Sequence, residues 1–110
     1  MNEIIQKIHK IQDVITIIVK LIIAGQYSEA KKTTPNLTMS LGQSILLITT
    51  SEYLSEEEKE QERNYWIEQI QRINDAIESN DGFRLIDILY IETMDKLSNY
   101  LIKFNRDGEL

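Results

Sequence analysis

The residues of this chain that could do chemistry are mostly carboxylates. Glu56, Glu57 and Glu60 are followed, after a gap of seventeen residues, by Glu78 and Asp81. Carboxylate sets can share a divalent cation, provided that they converge. On one continuous helix they stand roughly 27 Å apart at 1.5 Å per residue, too far to share an ion within one subunit. The first set also has a structural use, because carboxylates in a first helical turn meet the positive end of the helix dipole. His9 is the only histidine, and Asp13 lies one turn on. With no cysteine, and no serine tied to His9 by a motif, nucleophilic catalysis has no support. A carboxylate-bridged di-metal centre needs two Glu-x-x-His pairs, and none is present. The expectation is a non-enzyme with no catalytic residue, no metal ligand and no cofactor.

Asp87 and Glu92 are placed differently, beside apolar residues. Glu92 has Lys96 four residues on, which reads as a surface ion pair worth a few tenths of a kcal/mol. The same carboxylate could instead contact a partner.

These side chains must be positioned by helices. The apolar residues Phe83, Ile86, Tyr90, Met94, Leu97, Leu101 and Phe104 recur every three or four positions, which is one stripe of a helix over 83–104. A second cluster, Leu85, Ile88 and Leu89, falls on the other side of that helix. Upstream, Ile4, Ile8, Ile11, Ile15, Ile18 and Ile22 form the stripe of a helix over 2–24, with Asn2 as its cap and Gly25 as its left-handed terminator. From Val14 onward that helix is also apolar nearly all round, with Ile17 and Leu21 on its flank.

A helix over 27–50 is expected to be kinked or broken near Pro35, which cannot donate an interior hydrogen bond. Its stripe is Leu37, Leu41, Ile45 and Ile48, and Gly42 and Ser44 are small enough for close helix approach. Ser55-Glu56-Glu57-Glu58 is a capping box that starts the next helix. Trp66, Ile70, Ile73 and Ile77 form its stripe, with Ile67 alongside. Asn80-Asp81-Gly82 ends it, Asp81 caps the last helix, and Asn105-Arg106-Asp107-Gly108 closes the chain's helical part. Short connections predict a single all-α domain over 1–110, an antiparallel up-down-up-down four-helix bundle.

The totals agree with that class. The chain has 110 residues, 42% of them hydrophobic and 27% charged, with one proline. A net charge of −6, without a basic stripe, argues against nucleic acid. The longest nearly apolar run, 14–25, is interrupted by Lys20, whereas a membrane span needs roughly 20 apolar residues. No membrane association and a cytoplasmic location are expected.

Two resemblances can be placed on these residues. The carboxylate sets are similar to the paired motif of the all-α nucleotide pyrophosphohydrolases, whose carboxylates bind magnesium between two helices; that likeness implies a magnesium-dependent hydrolase as a second alternative function. Asn80-Asp81-Gly82-Phe83, leading to Asp87-Ile88-Leu89-Tyr90-Ile91-Glu92, resembles the closing helix of a small, poorly characterised helical family of Gram-positive bacteria. Gly25-Gln26-Tyr27-Ser28-Glu29-Ala30, with Pro35 and Leu41-Gly42 after it, is similar to that family's second helix. The likeness covers about half the chain through short patterns. It implies a helical bundle and carries no catalytic residue across.

The leading expectation is an interaction module. The all-round apolar halves, 14–23 and 83–91, would lie side by side at one end of the bundle, and Ile17, Leu21, Leu85, Ile88, Leu89 and Glu92 are the candidate contacts to a partner helix or to a second copy in a homodimer. An apolar patch beyond a few hundred Å² is rarely left wet. A first alternative is an export or assembly chaperone that masks an amphipathic segment of a bacterial client.

Overall fold

Isoleucines at 4, 8, 11, 15 and 18 form the buried stripe of α1 (Asn2–Ile23). The computed structural model describes residues 2–52 and 54–108, with side chains over 3–52 and 54–104. The expected cap at Asn2 therefore lies outside the described side chains. At the other end Gly25 takes φ +79°. The Gln26 amide donates to Leu21 O at 2.8 Å and the Gly25 amide to Ile22 O at 3.0 Å, a Schellman turn that satisfies the last carbonyls of α1.

Helix α2 (Tyr27–Thr49) passes through Pro35 as one element, so of the two expected forms, kinked or broken, the broken one is corrected. Pro35 and Lys31 are both exposed, so the carbonyl that loses its amide donor faces water. The neighbouring hydroxyls return to the helix: Thr33 donates to Glu29 O, Thr34 to Ala30 O and Thr38 to Pro35 O, at 2.8–3.0 Å. Leu37, Leu41 and Ile48 are buried as expected, but Ser44 takes the inward place beside the half-buried Ile45. Gly42 is not a point of close approach, since a Cβ there would meet nothing within 4 Å.

Helix α3 (Glu56–Glu78) begins with the capping box: the Glu58 amide donates to Ser55 Oγ at 3.1 Å and the Ser55 amide to Glu58 Oε1 at 2.8 Å. Its inward line is Trp66, Gln69, Ile73 and Ala76, whereas Ile67 is 67% exposed. Asn80, at φ +56°, ends α3 by a second Schellman turn, with the Asp81 amide on Ala76 O at 3.0 Å and the Asn80 amide on Ile77 O at 3.1 Å.

The last helix starts as α4 (Gly82–Ile86), capped by Asp81 Oδ1, which accepts the Arg84 amide at 3.0 Å. It widens into a π-helical stretch, π1 (Asp87–Thr93), and continues as α5 (Met94–Gly108), which stops at the last of the residues expected to end it. The π stretch decides which faces are buried. A π turn contains more residues than an α turn, so the helix N-terminal to it is rotated relative to a uniform 3.6-residue period. Leu85, Ile88, Leu89 and Thr93 turn into the core in line with Leu97, Tyr100 and Phe104. Phe83 and Tyr90, expected in the core stripe, turn outward and are 84% and 53% exposed.

All the described elements are helical. α1 packs on α2 and on every part of the last helix, and α3 packs on α2, α4 and π1. No helix among the described residues is long and apolar enough to cross a membrane.

Candidate functional site

The end of α1 and the start of α4 meet at one pole, as the sequence suggested, but with different residues at the surface. Leu85, Ile88 and Leu89 are fully buried within the chain. These three candidate contacts are corrected to core residues, because the π stretch rotates them inward. Ile17 is 52% exposed, Leu21 is half-buried against the core, and neither lines the cavity described next. Glu92 does not pair with Lys96; its carboxylate is held by Arg72 of α3, whose Nη2 donates to Oε2 at 3.2 Å.

What the pole presents is an open apolar cup of about 710 Å³. Ile22 and Ile23 come from the last turn of α1, Tyr27 from the first turn of α2, and Phe83 and Ile86 from α4. The turn from Ser79 to Gly82 closes one side. Gly82 permits this approach, since a Cβ there would lie 3.1 Å from Ile22 Cγ2 and 3.7 Å from the Tyr27 ring. Lys31 fixes the turn from above, donating to Asn80 Oδ1 at 3.0 Å. On the rim, Phe83 and Ile23 are 84% and 73% exposed. The Tyr27 hydroxyl is buried without a hydrogen-bond partner, and burial, with the Asp81 charge as a smaller cause, raises its pKa. Mostly apolar walls beside a few polar residues, here Ser79, Asn80 and Asp81, have the composition of a binding surface.

Sequence reasoning missed these residues because it took Phe83 and Ile86 for core. A usable signal was the end of α1, where Ile22 and Ile23 run to the cap with no polar residue between them and Ala24.

Two polar side-chain networks join helices inside the fold. Trp66 Nε1 donates to the Tyr100 hydroxyl at 2.8 Å, and that hydroxyl donates to Glu62. Lys96 pairs with Glu62 at 2.8 Å and lies 4.6 Å from the centre of the Tyr65 ring. Burial, and then the hydrogen bond to Glu62, push the Tyr100 pKa far up. A second network joins α3 to π1: Gln69 Nε2 donates to Thr93 Oγ1 at 3.2 Å, and Arg72 Nη1 donates to Gln69 Oε1 at 3.0 Å. The Arg72 guanidinium holds the Glu92 carboxyl below the usual range.

Glu56, Glu57 and Glu60 sit in the first turns of α3, Glu78 is its last residue, and Asp81 lies beyond it. The two carboxylate sets are therefore at opposite ends of one helix. Among the described residues no group of three or more His, Cys, Asp or Glu could hold a metal ion. His9 and Asp13 are exposed on α1, and Asp87 is exposed on π1. No protein-family model, no curated protein and no solved structure matches this chain.

Proposed function

We propose that the chain is a non-enzymatic interaction module, built as an antiparallel up-down-up-down bundle, that receives the apolar face of a helix in the cup at the α1–α4 pole. The helix belongs to a partner protein or to a second copy of the chain. The observation that carries this reading is the rim: Phe83 and Ile23, both large and apolar, line the cup and stand mostly exposed. An exposed aromatic beside a preformed cavity is the usual anchor arrangement of an interface. The scaffold supports it, because the Schellman turn after α1 and the capped start of α4 hold both rim residues on helix ends rather than on loose loops.

The test is sedimentation of the parent chain and of Phe83→Asp across the micromolar range, together with capture of partners from the native host. Association or capture that Phe83→Asp abolishes, with an unchanged helical spectrum, supports the module. A parent chain that stays monomeric and captures nothing rejects it.

A further inference from the structure

The outer face of α2 carries no charge along most of its length. We propose that it is a twofold interface between two copies of this chain, whose α2 helices lie antiparallel across Gly42. The surface is separate from the cup and does not depend on it. From Thr33 to Ser51 the sequence has no charged residue, although 27% of the whole chain is charged. Burial does not account for this, because Asn36, Met39, Gly42, Gln43 and Leu46 within that run are all exposed. A helix face left to water normally carries charged and polar residues, whereas the core of an interface is depleted of charge and enriched in Met. Met39 and Leu46 stand 62% and 64% exposed. Beside them, between α2 and α3, Gly42, Ile45, Ile67 and Ile70 line an open hollow of about 250 Å³ with Arg63 at its edge.

Gly42 is a second, independent observation. Glycine inside a helix is unfavourable relative to alanine, and a Cβ at Gly42 would meet nothing within 4 Å. No contact within the chain therefore requires a glycine there. What its missing side chain leaves is room for the backbone of another helix.

The charges that bound the run identify that helix. Lys32 lies ten residues before Gly42 and Glu52 ten residues after it, roughly 15 Å to either side at 1.5 Å per residue. A second α2, laid antiparallel with the twofold axis at Gly42, brings Lys32 opposite Glu52 of the partner subunit, and symmetry repeats the pair at the other end. Between the two pairs, Met39 meets Ile45 of the partner subunit, and uncharged residues meet uncharged residues throughout. Both end residues are free to engage. Glu52 is exposed and makes no ion pair within 4 Å among the described residues. Lys32 reaches Glu29 of its own helix at 3.5 Å, with both side chains mostly in water, a contact of little worth. A second copy supplies both the charge-free centre and the opposite charges at the ends.

The test is sedimentation equilibrium of the full chain from the low micromolar to the millimolar range. The mean mass should rise from 12.9 kDa towards twice that value. Gly42→Glu and Gly42→Lys each set like charges against one another on the axis, and each should weaken association about tenfold or more. Mixed in equal amounts the two variants should associate again, because at a twofold axis residue 42 faces its own counterpart. Neither should melt below the parent at concentrations where the parent is monomeric, since each replaces a helix-interior glycine on an open surface. Lys32→Glu should weaken the dimer, and Lys32→Glu with Glu52→Lys should restore it. Phe83→Asp should leave it unchanged, which separates this interface from the cup. A parent chain that stays monomeric to millimolar concentration overturns the proposal. So does a dimer that is indifferent to Gly42→Glu, or an equal mixture of the two Gly42 variants that stays monomeric.

Discussion

Trp66 ties α3 to α5 with both its ring and its indole nitrogen. It is 1% exposed, it meets the Tyr65 ring edge-on at 5.1 Å, and its N–H is given to Tyr100. Trp66→Ala should therefore cost about 3–5 kcal/mol, and the parent's fluorescence should be blue-shifted and poorly quenched; a red-shifted, readily quenched signal would contradict the burial. Tyr100 gives the matching prediction in pH. Its folded pKa is raised above the ordinary value of 10.0, as are those of Tyr27 and Tyr65. Below pH 10 these phenols are neutral in both states and contribute no pH dependence. Above it the unfolded chain releases protons that the native chain retains, so stability falls with rising pH. In an alkaline titration, phenolate absorbance from these three should lag behind that of a free tyrosine, and that of Tyr100, the most buried, should appear together with loss of helix. Burial of Trp66 was legible from the spacing of its stripe. Gln69 and Thr93 were not, because a polar residue in an apolar stripe reads as a gap until its partner across the interface is known.

The last helix shows why a regular period can be read correctly and still point the wrong way. Phe83, Ile86, Tyr90, Met94 and Leu97 fit one α-helical stripe, and the C-terminal part of that stripe is indeed inward, with Leu97 and Phe104 buried. A single widened stretch at Asp87–Thr93 moves everything N-terminal to it onto another face. Starts and stops were legible because each depends on a local bond: Ser55 with Glu58, Asp81 with Arg84, Gly25 at positive φ. The π stretch leaves no such mark, since it is fixed by what α1 and α3 demand of the face. Deletion of Tyr90, an exposed residue inside π1, should consequently be tolerated. It returns the segment to an α period while Leu85, Ile88, Thr93, Leu97 and Tyr100 stay on one face. Deletion of Asn99, outside the stretch, should rotate Tyr100 and Phe104 out of line with Leu85, Ile88, Thr93 and Leu97. Fully exposing those two rings costs about 3–6 kcal/mol, a large share of the stability of a whole domain. Thermal melts decide it: a cooperative transition should survive the first deletion and vanish in the second, and the reverse order would refute the π assignment.

The whole molecule exposes 6483 Å², close to the about 6,300 Å² expected of a folded monomer of this mass. The chain therefore buries as much of itself as a self-sufficient monomer does, and any contact at the pole is an addition to a finished fold. Two pairs of substitutions on the same last helix and its neighbour separate core from contact surface. Ile88→Glu with Leu89→Lys places two charges where exposure is 0%; unpaired charges in such a site are expelled at a cost of several kcal/mol each, so the helical spectrum should collapse. Ile23→Asp with Phe83→Asp alters two residues that are 73% and 84% exposed. Surface changes of that kind stay within about 0.5 kcal/mol each, so the melting curve should hardly move while binding at the cup is lost. Circular dichroism and sedimentation of the two variants side by side give the answer. A folded Ile88→Glu, Leu89→Lys chain that has lost association would return those residues to the surface and take the interface away from the cup. An unfolded Ile23→Asp, Phe83→Asp chain would make the rim part of the core, and the exposed anchor on which the proposed function rests would be gone.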